Sequence, residues 1–163
     1  MKIGLMADTH DRLDAVNAAI SLFNQEKVTD VLHAGDLVSP FVVPTFSGLK
    51  ARLHYVWGNN EGDREYITVK FKELGIVPCG DFAELELSGL KIALLHGRYE
   101  SIINSLVNSG LYDVIVRGHS HKAEIIKDKT LLINPGEVCG YLSGRMTVAL
   151  LSLDSMKSQI IEL

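Results

Sequence analysis

Cysteine is scarce in this chain: Cys79 and Cys139 are the only two among 163 residues, and they form no CxxC pair. A disulfide scaffold is thereby excluded, and the pair suits a reducing compartment. Basic surplus is also absent, with 16 Lys+Arg against 20 Asp+Glu and a net charge of −4. That balance argues against a surface built to hold nucleic-acid phosphates. No run approaches the roughly 18 apolar residues of a membrane-spanning helix. The start shows no basic, apolar and small-residue order of a secretory signal, because residues 2–7 already read as a strand. No repeat, low-complexity tract or linker interrupts the chain. At 47% hydrophobic and 22% charged residues, disorder and collagen-like repeats are excluded as well. The expectation is a cytoplasmic protein with one domain over residues 1–163, long enough to bury about two thirds of its surface.

The first half alternates apolar runs with amphipathic stretches. Leu13, Val16, Ile20 and Phe23 recur at helical spacing, which predicts a helix over residues 12–26. Strands are expected at 31–34 and 52–57. Ser39-Pro40 reads as an N-cap serine with proline at the first helical position, and a helix over 61–74 stops at Gly75. This βαβαβα order implies a parallel sheet with right-handed crossovers. The second half is richer in strands: 82–87 and 90–95 flank the hairpin signal Ser88-Gly89. A helix follows over 99–109, then strands at 114–117, 123–127, 130–134, 146–153 and 158–163. Two packed sheets with helices outside are the expected architecture, a mixed α/β fold.

Polar residues gather where strands end. Asp8-Thr9-His10, Gly35-Asp36, Gly58-Asn59-Asn60-Glu61, His96-Gly97 and Gly118-His119-Ser120-His121 each follow an apolar run. Ligands of open α/β sheets bind outside the carboxyl ends of strands, so these five segments are expected to face one region. Any one of them is weak evidence; their joint order and placement are strong. Two histidines alternating in extended chain point to opposite faces, so His119 and His121 must straddle a turn or flank two adjacent metals. Imidazole, carboxylate and amide donors suit Mn²⁺, Fe²⁺, Co²⁺, Ni²⁺ or Zn²⁺ better than Ca²⁺. Seven such side chains exceed what one catalytic ion takes, but suit two ions sharing a carboxylate. Neither cysteine follows one of these strands, so thiolates are not expected to contribute.

These motifs resemble those of the calcineurin-like metallophosphoesterases. The Asp8-Thr9-His10-Asp11 opening, the length and Asn134-Pro135-Gly136 resemble the small single-domain phosphodiesterase branch. The resemblance implies a four-layer αββα sandwich of two mixed sheets with a dinuclear site at the sheet edge. It assigns Asp8, His10 and His121 to the first ion, Asn59, His96 and His119 to the second, and Asp36 to both. In that scheme Asp36, His96 and His119 hold the nucleophile, a hydroxide bridging two divalent ions, Mn²⁺ foremost. The site then carries one net positive charge, which suits an anionic phosphate. Many members have histidine directly after the asparagine; here the residue is Asn60, which cannot donate a proton as an imidazolium does. A small phosphodiester with a good leaving group is the expected substrate.

Other positions carry plainer expectations. Arg12 and Arg98 are candidates for gripping a substrate phosphate. Asp11 reads as a cap of the first helix, Glu61 as a carboxylate at a helix start, Trp57 as core, and His33 and His54 as packing or surface residues. Asn134 is expected to orient His10 or another ligand, and the terminal hairpin offers apolar positions for a homo-oligomer. The rival readings are a catalytically weak scaffold resembling the retromer subunit of the same fold, and a metal or nucleotide sensor.

Overall fold

The computed structural model describes residues 1–163. The first half runs β1 (Lys2–Met6), α1 (Leu13–Gln25), β2 (Asp30–His33), a 3₁₀ helix (Val43–Gly48), β3 (Arg52–Tyr55) and α2 (Arg64–Glu73). The second half runs β4 (Phe82–Leu87), β5 (Leu90–Leu95), α3 (Glu100–Ser109), β6 (Val114–Val116), β7 (Ala123–Lys127), β8 (Leu131–Pro135), β9 (Thr147–Ser152) and β10 (Lys157–Glu162). One sheet has the order β10-β9-β1-β2-β3, the other β4-β5-β6-β8-β7. Strands β1, β2 and β3 are mutually parallel, as are β5, β6 and β8, while the flanking strands are antiparallel.

The period of two along each central strand sorts side chains into layers. Ile3, Leu5 and Ala7 of the first sheet pack with Ile92, Leu94, Val114, Val116 and Ile133 of the second. On the opposite face, Met6 and Val31 meet Val16, Ile20 and Phe23 of α1 together with Phe46 and Phe71. The outer face of the second sheet, through Ala93, Leu95, Ile115 and Leu132, packs on Ile103 of α3. Helix, sheet, sheet and helix therefore stack as the expected αββα sandwich. Gly4 lets α1 approach, since a Cβ there would lie 2.6 Å from the Phe23 ring.

Several local expectations are corrected. Ser39-Pro40 opens no α-helix; the segment makes only the 3₁₀ helix, with Pro44 in its first turn. Ser39 is occupied as a donor, its N–H and Oγ both 2.9 Å from Asp11 Oδ1. Asp11 accordingly does not cap α1, whose N-cap is Arg12 with no side-chain capping bond. Helix α2 starts at Arg64, where the Asp63 side chain accepts from the Tyr66 N–H at 2.9 Å. Glu61 lies before it and accepts from Leu37 N at 3.0 Å and Tyr55 Oη at 2.5 Å. In the terminal hairpin Ile160 packs, partly buried, against the core between the sheets and Ile161 against the helix-side core.

Candidate metal centre

Six parallel strands deliver their carboxyl ends to one edge, and the loops beyond them interlock across both sheets. His96, following β5, sets Nδ1 2.8 Å from the Ala34 carbonyl beyond β2. The Val138 and Cys139 N–H groups, beyond β8, donate to the Ala7 and Asp8 carbonyls after β1 at 3.0 and 3.1 Å. Gly118 makes this closure feasible: a Cβ there would lie 2.7 Å from Ala7 Cβ and 2.8 Å from Asp8 Oδ2. Asp8, His10, Asp36, His119 and His121 all take positive φ, between 39° and 70°. Each such non-glycine residue costs on the order of 1–3 kcal/mol, and such strain concentrates at functional sites. The turn expected at Gly-His-Ser-His is thus present, so His119 and His121 need not point apart.

Asp8, His10, Asp36 and His121 bring donor atoms within 4.8 Å of one another. His121 Nδ1 lies 2.7 Å from Glu137 Oε2, so it carries the proton when the ring is neutral and leaves the Nε2 lone pair facing Asp8 Oδ1 at 3.5 Å. His10 Nε2 lies 3.5 Å from Asp36 Oδ2 and 3.9 Å from Asp8 Oδ1. Asp8 Oδ1 and His10 Nε2 are buried without any hydrogen-bond partner. Leaving such atoms unmatched costs about 1–3 kcal/mol each, more when charged. Burial raises the Asp8 carboxyl to about 7 against the pull of His96 and His121. A divalent cation satisfies all these groups at once, so the donor set fits a metal ion.

A second group adjoins the first across Asp36. His96 donates from Nδ1 to a carbonyl, so its Nε2 lone pair faces two further acceptors: Asn59 Oδ1 at 3.0 Å and Asp36 Oδ2 at 3.4 Å. Three acceptors around one point call for a proton or a cation. The His119 ring packs edge-on against His96 with centroids 5.1 Å apart, and burial lowers its pKa. Asp36 Oδ1 accepts from the Asn59 and Asn60 N–H groups at 2.8 and 2.9 Å. Burial raises the Asp36 carboxyl, but the neighbouring His96 and the hydrogen bonds from Asn60 outweigh it and hold the group well below the usual carboxylate range. The Asn60 amide turns inward, its Nδ2 donating to Asp36 Oδ2 at 2.7 Å. Gly58 permits this fit, since a Cβ there would lie 2.1 Å from Asp36 Oδ1.

Glu137 was not singled out by sequence reasoning. It is fully buried and accepts from His121, from the Leu142 N–H at 3.0 Å, from the Ser143 N–H and from Cys139 Sγ at 3.1 Å. Burial raises the Glu137 carboxyl, and these donors outweigh it, bringing the group down to about 2. A lone acid between Gly136 and Val138, straight after an apolar strand, was the signal available. Cys139 lies nearer the site than its place in the sequence suggested, its Sγ within 4.8 Å of donor atoms of His10 and His121. Burial pushes that thiol up to about 12.

The remaining candidates divide. Arg12 is held by the Cys139 carbonyl at 2.7 Å and by Asp14 at 3.2 Å, an engagement that competes with the expected phosphate contact. Arg98 is exposed and lines a cleft beside His96 and Asn59. Trp57 packs against the helix-side core, as expected, and its half-buried ring also lines that cleft. Asn134 donates to the Gly118 carbonyl and Ser120 Oγ at 3.0 and 2.9 Å, so it braces the His119–His121 turn and does not touch His10. His33 is fully buried, accepting from the Gly35 N–H at 3.1 Å and pairing with Thr9 Oγ1 at 3.3 Å beneath the two aspartate loops. His54 bonds Asp30 at 2.9 Å between neighbouring strands.

Comparison with known proteins agrees with this geometry. The model of the calcineurin-like phosphoesterase superfamily domain matches residues 1–156. Phosphodiesterase MJ0936 of Methanocaldococcus jannaschii is 41% identical over 156 residues, covering 94% of each chain. The solved structure of an archaeal phosphodiesterase superposes with a TM-score of 0.94 at 40% identity, over 100% of both chains. Vps29 from Entamoeba histolytica, in complex with zinc, shares the fold at a TM-score of 0.69 and 17% identity, over 99% of both chains. With the strand-end loops, the strained aspartates and histidines and these likenesses together, the chain belongs to the calcineurin-like phosphoesterase superfamily.

Proposed function

We propose that this chain, as a single domain over residues 1–163, hydrolyses small phosphodiesters with two divalent cations held by Asp8, His10, Asp36, Asn59, His96, His119 and His121. The observation that carries this reading is Asp36 Oδ2, which faces His10 Nε2 at 3.5 Å on one side and His96 Nε2 at 3.4 Å on the other. One carboxylate oxygen between two sets of lone pairs suits a shared ligand. When bound, the ions supply a nucleophilic hydroxide between them at neutral pH and draw charge from the phosphoryl oxygens. The chain's own residues do the positioning: Asp36 is locked by two backbone N–H groups, His96 by the Ala34 carbonyl and His121 by Glu137. Manganese is the proposed ion, and the mixed nitrogen and oxygen donors also suit Ni²⁺, Fe²⁺, Co²⁺ and Zn²⁺.

Asn60 sets the substrate preference in this reading. A primary amide has no proton to give an alkoxide, and here it is spent on Asp36. Diesters with good leaving groups are therefore preferred over alkyl monoesters, and Asn60→His gains activity on the latter. The two free cysteines support a reducing compartment, the cytoplasm, and no helix is long and apolar enough to cross a membrane. Hydrolysis of bis-(p-nitrophenyl) phosphate and p-nitrophenyl phosphate by chelated, then Mn²⁺-reloaded, protein tests the reading. The diester is cleaved faster, only after reloading, and Asp36→Asn removes most of the activity. Equal rates in chelated and reloaded protein contradict it.

A further inference from the structure

Beside the Asn59 and His96 end of the metal centre opens a cleft of about 360 Å³. Its lining combines four large apolar side chains with charged and polar ones. Trp57 forms one side, with Leu95, Ile102 and Tyr99 among its other lining residues. Tyr99 is 56% exposed and Ile102 50% exposed, so about half of each side chain faces solvent. The Trp57 ring is fixed in place: it stands edge-on to Tyr55 at 5.2 Å, and the Arg64 guanidinium lies 5.3 Å over it. Arg64 is held in turn by the Gly58 carbonyl at 2.9 Å and Asp81 at 3.0 Å. A second cation, Arg98, lies 5.3 Å over the Tyr99 ring and makes no ion pair.

We propose that this cleft takes the nucleobase of a nucleotide diester whose phosphorus sits at the metal centre. The inference rests on the phosphodiesterase reading and adds the class of substituent that the substrate carries. Position gives the first argument. Asn59 and His96 line both the cleft and the metal centre, so a group entering here hangs from the phosphorus. Shape gives the second: the exposed Tyr99 ring and the half-buried Trp57 ring line the cleft and offer a flat base surfaces to stack on. Such stacking is worth about 1–3 kcal/mol per base and tolerates any base. Charge gives the third. The Arg64 and Arg98 guanidinium carbons lie 5.3 Å from the two ring centroids, Asp81 offers an acceptor to a base edge, and Arg98, which makes no ion pair, is placed to meet a second phosphate or a base carbonyl. The volume, at the small end of ligand clefts, holds one nucleoside and not a polymer.

Trp57 is the chain's only tryptophan, so its fluorescence reports the cleft directly. The Mn²⁺-loaded chain is titrated with adenosine 5′-monophosphate and with methyl phosphate, which has the same anion and no base. The nucleotide quenches Trp57 saturably and binds about tenfold or more tightly than methyl phosphate inhibits bis-(p-nitrophenyl) phosphate hydrolysis. Tyr99→Ala, at an exposed position, reduces that advantage several-fold. Equal affinity for the two phosphates, or an advantage that survives Tyr99→Ala unchanged, overturns the proposal while diester hydrolysis continues. Quenching by the nucleotide in a chain that cleaves no diester supports the cleft and overturns the phosphodiesterase reading instead.

Discussion

Glu137 illustrates how much of this site rests on residues that touch no substrate. Its carboxylate fixes which His121 nitrogen carries the proton, and so keeps Nε2 free to bind a metal. Glu137→Gln is expected to weaken Mn²⁺ binding by about 10–100-fold, the usual effect of removing such a partner. Calorimetric metal titration reads the loss. A merely structural role would lower the melting temperature and leave the affinity of the folded chain unchanged. His33 carries a different prediction. Burial, then His96, lowers its imidazole to about 3. The unfolded chain therefore takes up a proton below about pH 6.5 that the folded chain refuses, and stability falls with pH through that window. Between pH 7 and pH 4 the loss from this residue is ~3 kcal/mol. Urea unfolding of chelated protein checks it, because His33→Asn removes that share of the slope.

At the scale of elements, the strands were legible because polar donors follow apolar runs so abruptly. Val114 to Val116 followed by Gly118-His119 marks a boundary in any context. Partnerships across the fold were not legible. Asp11 and Ser39 read as local caps and Glu61 as a helix-start carboxylate, yet each bonds a loop more than 20 positions away. Local propensity sees only neighbours, and a cap is decided by whichever donor arrives first in three dimensions. The segment after Ser39 was overread for a related reason. Val42, Val43 and Thr45 are β-branched and Pro44 lacks an N–H, and the segment forms only the six-residue 3₁₀ helix. The contact of α1 with β1 is the element-scale test. Gly4→Ala drives a methyl into Phe23, where it would lie 2.6 Å from the ring. Overpacking of this kind costs about 1–3 kcal/mol, read as a lower urea midpoint with metal stoichiometry intact.

Across the whole molecule, two sheets of different topology meet along one apolar layer and one polar edge. Neither sheet holds a complete site. The first supplies the loops of Asp8, His10, Asp36 and Asn59; the second supplies those of His96, His119, His121 and Glu137. The seven proposed ligand positions could be named from sequence because each stands at a strand end, whereas Glu137, Cys139 and the Trp57–Tyr99 cleft emerge only when the sheets are stacked. Metal binding should for the same reason couple the two sheets: saturating Mn²⁺ raises the unfolding midpoint, and chelation reverses it.

The account stands on two ions sharing Asp36, and counting metal against activity tests that directly. Chelated chain is titrated with Mn²⁺ while bound ion and bis-(p-nitrophenyl) phosphate hydrolysis are followed together. Two ions per chain are expected, with activity rising on the second, and Asp36→Asn losing both the second ion and the activity. Full activity at one ion per chain, or an Asp36→Asn variant that still binds two and turns over normally, would contradict it.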